Sequence, residues 1–229
     1  FNKRSILRVT PGKSVILAPQ GEFDREALFR AHGRFVESLG GRYITAEDVG
    51  TSPIDMDYVH METSHVVGLQ GKSGDPSPVT AYGVYAGMKA CAKEVFGDDS
   101  LKNRSVAVQG AGHVGYYLCR HLAEEGARVV ITDIDKAKAQ KVVDEFAAKA
   151  VAPEAIYAAN VDIFAPCALG AVVNDDTLTQ FKCKIVAGGA NNVLAEERHG
   201  DALEKMGILY APDYVINAGG LINVNAELV

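Results

Sequence analysis

The sequence predicts an α/β protein: a doubly wound, mostly parallel sheet, preceded by part of a smaller α/β region. Three observations support this. Short β-branched runs alternate with helix-periodic segments through the second half of the chain, as βαβ units require. One such alternation, Ser105 to Asp133, carries a glycine turn between its first strand and its helix and an acid after its second strand. A stretch rich in Gly, Ser and Pro, GLQGKSGDPSP from Gly68 to Pro78, has no periodicity and divides the chain. The expected organisation is therefore residues 1–68 as one region, 69–76 as a hinge and 77–229 as a second domain.

In chain order, Gly12-Lys13-Ser14 invites comparison with a phosphate loop, but that motif needs glycine where Leu7 stands. Ser14 to Ala18 reads as a strand. Asp24 caps a helix from Arg25 to Leu39, with Leu28, Ala31, Phe35 and Leu39 as its apolar stripe and Gly40-Gly41 as its end. Arg42 to Ala46 reads as a second strand, delivering Glu47-Asp48 and the turn at Gly50-Thr51 to its C-terminal edge, where α/β sheets place ligand-binding residues. Asp55 to Thr63 is a short helix and Val66-Val67-Gly68 a strand piece. Beyond the hinge, Ser77-Pro78 opens a long helix to Phe96 that buries Val84, Met88, Ala92 and Val95, with Gly97 as its cap.

The unit from Ser105 to Asp133 carries the chemistry. Val106-Ala107-Val108 is a buried strand, followed by Gly110-Ala111-Gly112-His113-Val114-Gly115, a G-x-G-x-x-G turn. The helix behind it has Val114, Leu118 and Leu122 on one face and Gly126 as C-cap. Gly110 permits the tight turn, Gly112 lets the backbone approach a pyrophosphate, and Gly115 lets helix pack on strand. A pyrophosphate at the helix N-terminus meets unpaired N–H groups and the positive end of the helix dipole, with His113 and Val114 beside it. The second strand, Val129-Val130-Ile131, ends at Asp133, about 20 residues on, where an acid accepts from adenosine ribose hydroxyls. This is a Rossmann-type dinucleotide site. Asp133 repels a 2′-phosphate, and Lys136 is the only cation near it in sequence, so the cofactor expected is NAD. Lys138 to Ala148 then reads as helix, Ile163 to Ala168 and Lys184 to Ala187 as strands, Glu196 to Met206 as helix, and Ile208 to Tyr210 as the last strand.

A formal net charge of −6 argues against nucleic acid or an anionic membrane as the main partner, and no apolar run reaches the length of a membrane span. Cys91, Cys119, Cys167 and Cys183 are far apart, without a C-x-x-C pair, and read as small hydrophobes in a reducing compartment. No metal site is expected, and the expected setting is cytoplasmic.

Seven segments together resemble the leucine, valine and phenylalanine dehydrogenases, relatives of glutamate dehydrogenase, in that family's order. They are GRYITAEDVGT (41 to 51), GDPSPVTAYGVYAGMKA (74 to 90), VQGAGHVGYYLCRHL (108 to 122), IFAPCALG (163 to 170), GGANN (188 to 192), RHGD (198 to 201) and PDYVINAGGLINV (212 to 224). The leucine-specific version fits best. The resemblance implies reversible NAD-dependent deamination of an amino acid to a 2-oxo acid and ammonia. It makes the first region part of a substrate domain, and it implies a homo-oligomer. By the same resemblance Lys13 is the catalytic lysine and Asp48 its acid partner. Thr80 meets the nicotinamide carboxamide, Ala168 meets the cofactor beyond a strand end, and Asn191 and Asn217 contact nicotinamide ribose and substrate. Ala46, Leu221 and Val224 line the side-chain pocket, which suits a branched aliphatic substrate.

The match departs from the family at Lys13, which Val9-Thr10-Pro11-Gly12 precede in place of a glycine-rich segment, and at a second, upstream lysine whose position falls about at Phe1. Family members extend beyond both ends of this sequence. Simpler readings of the same residues stand beside these. Lys13 is then a solvated lysine at a turn, Asp48 a turn aspartate beside Gly50, Thr80 a helix cap, and Asn191 and Asn217 turn formers with positive φ. Two functions follow: an amino-acid dehydrogenase for leucine (or, within the family, phenylalanine or valine), and a dinucleotide-binding module without catalysis.

Overall fold

A computed structural model describes residues 14–17, 21–48, 50–71 and 75–225. The chain forms two compact units, Ser77–Gly219 and Phe1–Pro76 together with Gly220–Val229.

In the first unit, α1 (Arg25–Ser38) starts at Asp24, whose carboxylate accepts from the Ala27 N–H, and α2 (Pro53–His60) starts at a Ser52/Asp55 capping box. Phe29 of α1 and Met56 and Val59 of α2 form one core with Val66 and Leu69. The buried stripe of α1 is Phe29, Gly33 and Val36, one or two positions from the expected residues, and Phe35 is 74% exposed. Gly33 explains the shift. A Cβ there would lie 2.7 Å from the Val59 carbonyl oxygen, so the helices meet at a glycine that hydrophobicity alone does not weight.

Among the described residues the expected strands of this unit are reduced to one parallel bridge, Thr45 to Val66. Ser14 to Leu17 are not strand; Val15 and Leu17 are 80% and 88% exposed. An apolar run becomes a strand only where a neighbour takes up its backbone groups.

The second unit begins with α3 (Ser77–Phe96), which buries Ala81, Val84, Met88 and Ala92, while Val95 is part-exposed rather than buried. Then follow β1 (Ser105–Gln109), α4 (His113–Glu125), β2 (Arg128–Thr132), α5 (Lys136–Phe146), β3 (Lys149–Ala150), β4 (Ile163–Pro166), α6 (Asp175–Leu178), β5 (Ile185–Val186), α7 (Arg198–Lys205), β6 (Leu209–Tyr210) and α8 (Asp213–Ile216). A last helix, α9, spans Gly219–Asn225. The six strands form one sheet in the order β3-β2-β1-β4-β5-β6, and every described pairing is parallel. This is the Rossmann order, with its switch point between β1 and β4.

Alternation along each strand explains how both faces are covered. Val106, Val108, Ile163, Ala165, Ile185 and Ala187 enter one core, with α3, α4 and α5. Ala107, Phe164 and Val186, the residues between them, enter the other, with Leu178, Leu203 and Ile208. α4 ends at Gly126, left-handed at φ 86°. The strand expected at Lys184 to Ala187 narrows to two residues. Among the described residues no helix is long and apolar enough to cross a membrane.

Candidate functional site

β1 ends at the switch point and runs directly into the glycine turn. Gly110 has φ 103°, a conformation that disfavours any side chain, and its N–H donates to the Thr132 carbonyl at 2.8 Å. Gly112 is the N-cap of α4, with extended backbone and no side-chain cap bond. A Cβ at Gly112 would meet nothing within 4 Å, whereas one at Gly115 would lie 1.9 Å from the Gly110 carbonyl oxygen. The two glycines therefore do different things. Gly115 closes the turn onto the helix, and Gly112 leaves the space before the helix N-terminus open, with no cap bond from the N-cap position itself. His113 is exposed at the head of α4, and Val114 is partly buried.

Asp133, just past β2, is half-buried and fastened by backbone. One carboxylate oxygen accepts from the Ala111 N–H at 2.6 Å and the other from the Asp135 N–H at 2.7 Å. Asp135 in turn caps α5 by accepting from Ala137 and Lys138. The carboxylate thus bridges the glycine turn and the start of the next helix.

The rim continues across the ends of β4 and β5, where glycine again marks close backbone approach. A Cβ at Gly110 would stand 3.0 Å from the Ala168 Cβ; at Gly188, 2.2 Å from the Pro166 carbonyl oxygen; at Gly189, 2.7 Å from Val114 Cγ1. Gly170 meets the Asn191 carbonyl oxygen in the same way, at 2.4 Å. The Cys167 thiol accepts from the Gly189 N–H at 3.5 Å, and burial pushes it up to about 11. The sequence reading overlooked Gly170, Gly188 and Gly189, although IFAPCALG and GGANN contain them.

The two asparagines picked out from separate segments touch each other. Asn217 Nδ2 donates to Asn191 Oδ1 at 2.7 Å and reaches the Gly189 and Ala190 carbonyls at 3.2 and 3.4 Å. Neither has positive φ; that conformation falls on Asn192, at φ 50°. The turn-former reading thus applies to Asn192 and not to the other two. Thr80 lies in the first turn of α3, beside Gly219, whose Cβ would come 2.5 Å from the Val79 carbonyl oxygen and 3.3 Å from Thr80 Cα. Gly110, Gly112, His113, Val114, Gly115, Ala168, Asn191 and Asn217 therefore share one strand-end rim, with Asp133 at its β2 side.

In the first unit, Ala46 and Asp48 follow Thr45 past its bridge. The Asp48 carbonyl accepts from the Thr51 N–H and hydroxyl at 2.9 and 2.7 Å, closing a turn through Gly50 at φ 82°. Arg25 holds this turn from α1. It donates to both oxygens of the buried Asp55 carboxylate at 2.6 and 2.8 Å and to the Gly50 carbonyl at 2.9 Å. Burial alone would raise Asp55, but hydrogen bonds from Arg25 and Ser52 outweigh it and hold the carboxyl below its ordinary range. Glu47 goes the other way, pushed up to about 7 by burial and then by Asp75, Asp48 and Asp55. Neither Arg25 nor Glu47 was assigned a role from sequence. Lys13 lies outside the described residues. Leu221, 37% exposed, and Val224 lie on α9; the Val224 side chain is outside what is described.

The model of the Glutamate/Leucine/Phenylalanine/Valine dehydrogenase family matches residues 71–135 and 130–229. The chain is 59% identical over 231 residues to the leucine dehydrogenase of Thermoactinomyces intermedius, covering 100% of this chain and 63% of that protein. It is 57% identical over 230 residues to the leucine dehydrogenase of Bacillus subtilis, covering 99% and 63%. The chain thus spans somewhat under two thirds of these relatives' length. The crystal structure of L-tryptophan dehydrogenase from Nostoc punctiforme superposes with a TM-score of 0.74 at 47% identity, covering 89% of this chain and 59% of that one.

Proposed function

Because the chain belongs to the glutamate/leucine/phenylalanine/valine dehydrogenase family, we propose that it carries out the reversible, NAD-dependent oxidative deamination of L-leucine and related branched-chain amino acids. The observation that carries this reading is the glycine turn with Asp133 fastened to it. A Cβ at Gly112 would meet no protein atom within 4 Å, so the space before α4 is open, and this is the position we assign to a pyrophosphate. Asp133 keeps lone pairs for ribose hydroxyls while its backbone bonds orient it, and a 2′-phosphate there meets a carboxylate. A nicotinamide cofactor held there would supply the acceptor for the hydride of the amino-acid Cα.

The residues of the chain supply the rest. Thr80, Ala168 and Asn191 orient the nicotinamide end, and Asn217 faces the substrate from the same rim. Lys13 polarises the developing imino and keto carbon and helps activate water; Asp48 relays protons to and from the nitrogen. Ala46, Leu221 and Val224 wall the side-chain pocket. The reading extends to a cytoplasmic homo-oligomer with amino acids and 2-oxo acids as its small-molecule partners.

Steady-state rates with leucine, valine and phenylalanine test it, using NAD and NADP in turn. Leucine and valine should exceed phenylalanine in kcat/KM by about tenfold to a few hundredfold, since a methyl or two in an apolar pocket decides no more. A higher value for phenylalanine would overturn the substrate assignment. Tight NADH binding without turnover of any amino acid would leave the non-catalytic binding module as the reading.

A further inference from the structure

We propose that Asp213 is a positioning residue for the asparagine pair, holding the loop that carries Asn191 against the turn that carries Asn217. The inference rests on the site reading above. Asp213 opens α8, and its two carboxylate oxygens are used separately. One accepts from the Val193 N–H at 3.1 Å, across 20 residues of chain, and the other from the Tyr214 N–H at 2.6 Å. Asn217 lies one helical turn on, its own N–H bonded to the Asp213 carbonyl at 3.1 Å. The loop from Gly188 to Val193 is therefore held at both ends by one short segment. Asn217 holds its beginning at Gly189, Ala190 and Asn191, and Asp213 holds its end at Val193.

Without the carboxylate, the Val193 N–H loses its acceptor, in a residue only 1% exposed. Asn192, at φ 50°, sits between the two anchors; its carbonyl accepts from the Ala171 N–H at 2.7 Å and that of Val193 from the Val173 N–H at 3.0 Å, so backbone fixes one flank of the loop and Asp213 and Asn217 fix the other. Without the Asp213 anchor the loop can shift on its α8 side about that backbone-fixed flank, and Asn191, the side-chain acceptor of the Asn217 amide, shifts with it. Gly189 carries the same displacement to Val114 and Cys167, against which it packs. Asp213 needs no contact with substrate or cofactor to act in this way.

The test uses the full-length protein and the variants Asp213→Ala, Asp213→Asn, Asn217→Ala and the Asp213→Ala/Asn217→Ala double. Asp213→Ala should lower kcat/KM for leucine by about ten- to a hundredfold, the range that losing a charge-assisted hydrogen bond corresponds to. The double variant should be no worse than Asn217→Ala alone, as action through Asn217 requires. Asp213→Asn keeps one acceptor for the Val193 N–H and should recover part of the loss. A merely structural role gives additive losses and no recovery. Independently of turnover, the Asn217 side-chain amide protons should exchange faster with solvent in Asp213→Ala. Unchanged exchange there overturns the proposal, even if the unaltered protein deaminates nothing and the functional reading has failed on its own.

Discussion

The backbone N–H of Ala111, in the middle of the glycine turn, donates to the carboxylate of Asp133 across 2.6 Å. The residue expected to choose between cofactors is thus part of the turn expected to hold the pyrophosphate. Asp133→Ser should weaken NADH binding and narrow the preference over NADPH, because the charge that repels a 2′-phosphate is gone. Paired fluorescence titrations with NADH and NADPH measure both. Equal affinity of the unaltered protein for the two would remove Asp133 as the selector.

Gly112 and Gly115 should separate cofactor binding from folding. Gly115→Ala places a methyl 1.9 Å from the Gly110 carbonyl oxygen and should cost about 1–3 kcal/mol of stability, as overpacking does. Gly112→Ala meets no protein atom and has φ −68°, so the melting temperature should hold. Its NADH affinity should fall by about tenfold or more, or about 1.4 kcal/mol. Thermal unfolding and NADH titration on the same pair decide it, and intact NADH binding in Gly112→Ala would refute the pyrophosphate position.

Lys13→Ala should reduce kcat roughly a hundredfold to ten-thousandfold, the span of acid–base catalysis, with NADH affinity nearly unchanged. Asp48→Asn should be at least as damaging, since the amide keeps the shape and loses the proton relay. Rapid kinetics on the full-length variants measure this. Normal turnover by Lys13→Ala would end its catalytic assignment.

Two carboxyl groups of the first unit should give opposite pH dependences. Asp55 lies below its ordinary 3.8, so its contribution is complete above that value and is lost as pH falls through its folded pKa. Arg25→Ala should remove this acid-side dependence and cost about 1–3 kcal/mol near neutral pH by leaving a buried carboxylate underpaired. Glu47 lies above its ordinary 4.5, at about 7, so its contribution is complete below 4.5 and is lost as pH rises through 7. Glu47→Gln should abolish that alkaline-side loss. Chemical denaturation across pH 3 to 9 follows both, and an NMR titration placing Glu47 near 4.5 would contradict the arrangement drawn around it.

Local pattern accounts for much of this molecule. The glycine spacing from Gly110 to Gly115, the β-branched runs on either side and the acid at Asp133 are contiguous in sequence, and each states a backbone or chemical requirement that neighbours alone impose. Helix starts at Asp24 and Ser77, and the stop at Gly126, are legible for the same reason. A long periodic helix such as α4 keeps its apolar face wherever it is packed.

What tertiary contact decided is of another kind. Val15 and Leu17 have strand composition, yet a strand exists only where a second backbone takes up its hydrogen bonds. The buried face of α1 is set by Gly33 against the Val59 carbonyl, a fit that hydrophobicity cannot express. The Asn191–Asn217 bond, the Asp213 anchor on Val193 and the Arg25 hold on both Asp55 and Gly50 join residues 20 to 30 positions apart. Parallel strands deliver distant loops to one sheet edge, and only the folded sheet specifies which polar groups meet there, because register and crossover, not sequence proximity, set those distances.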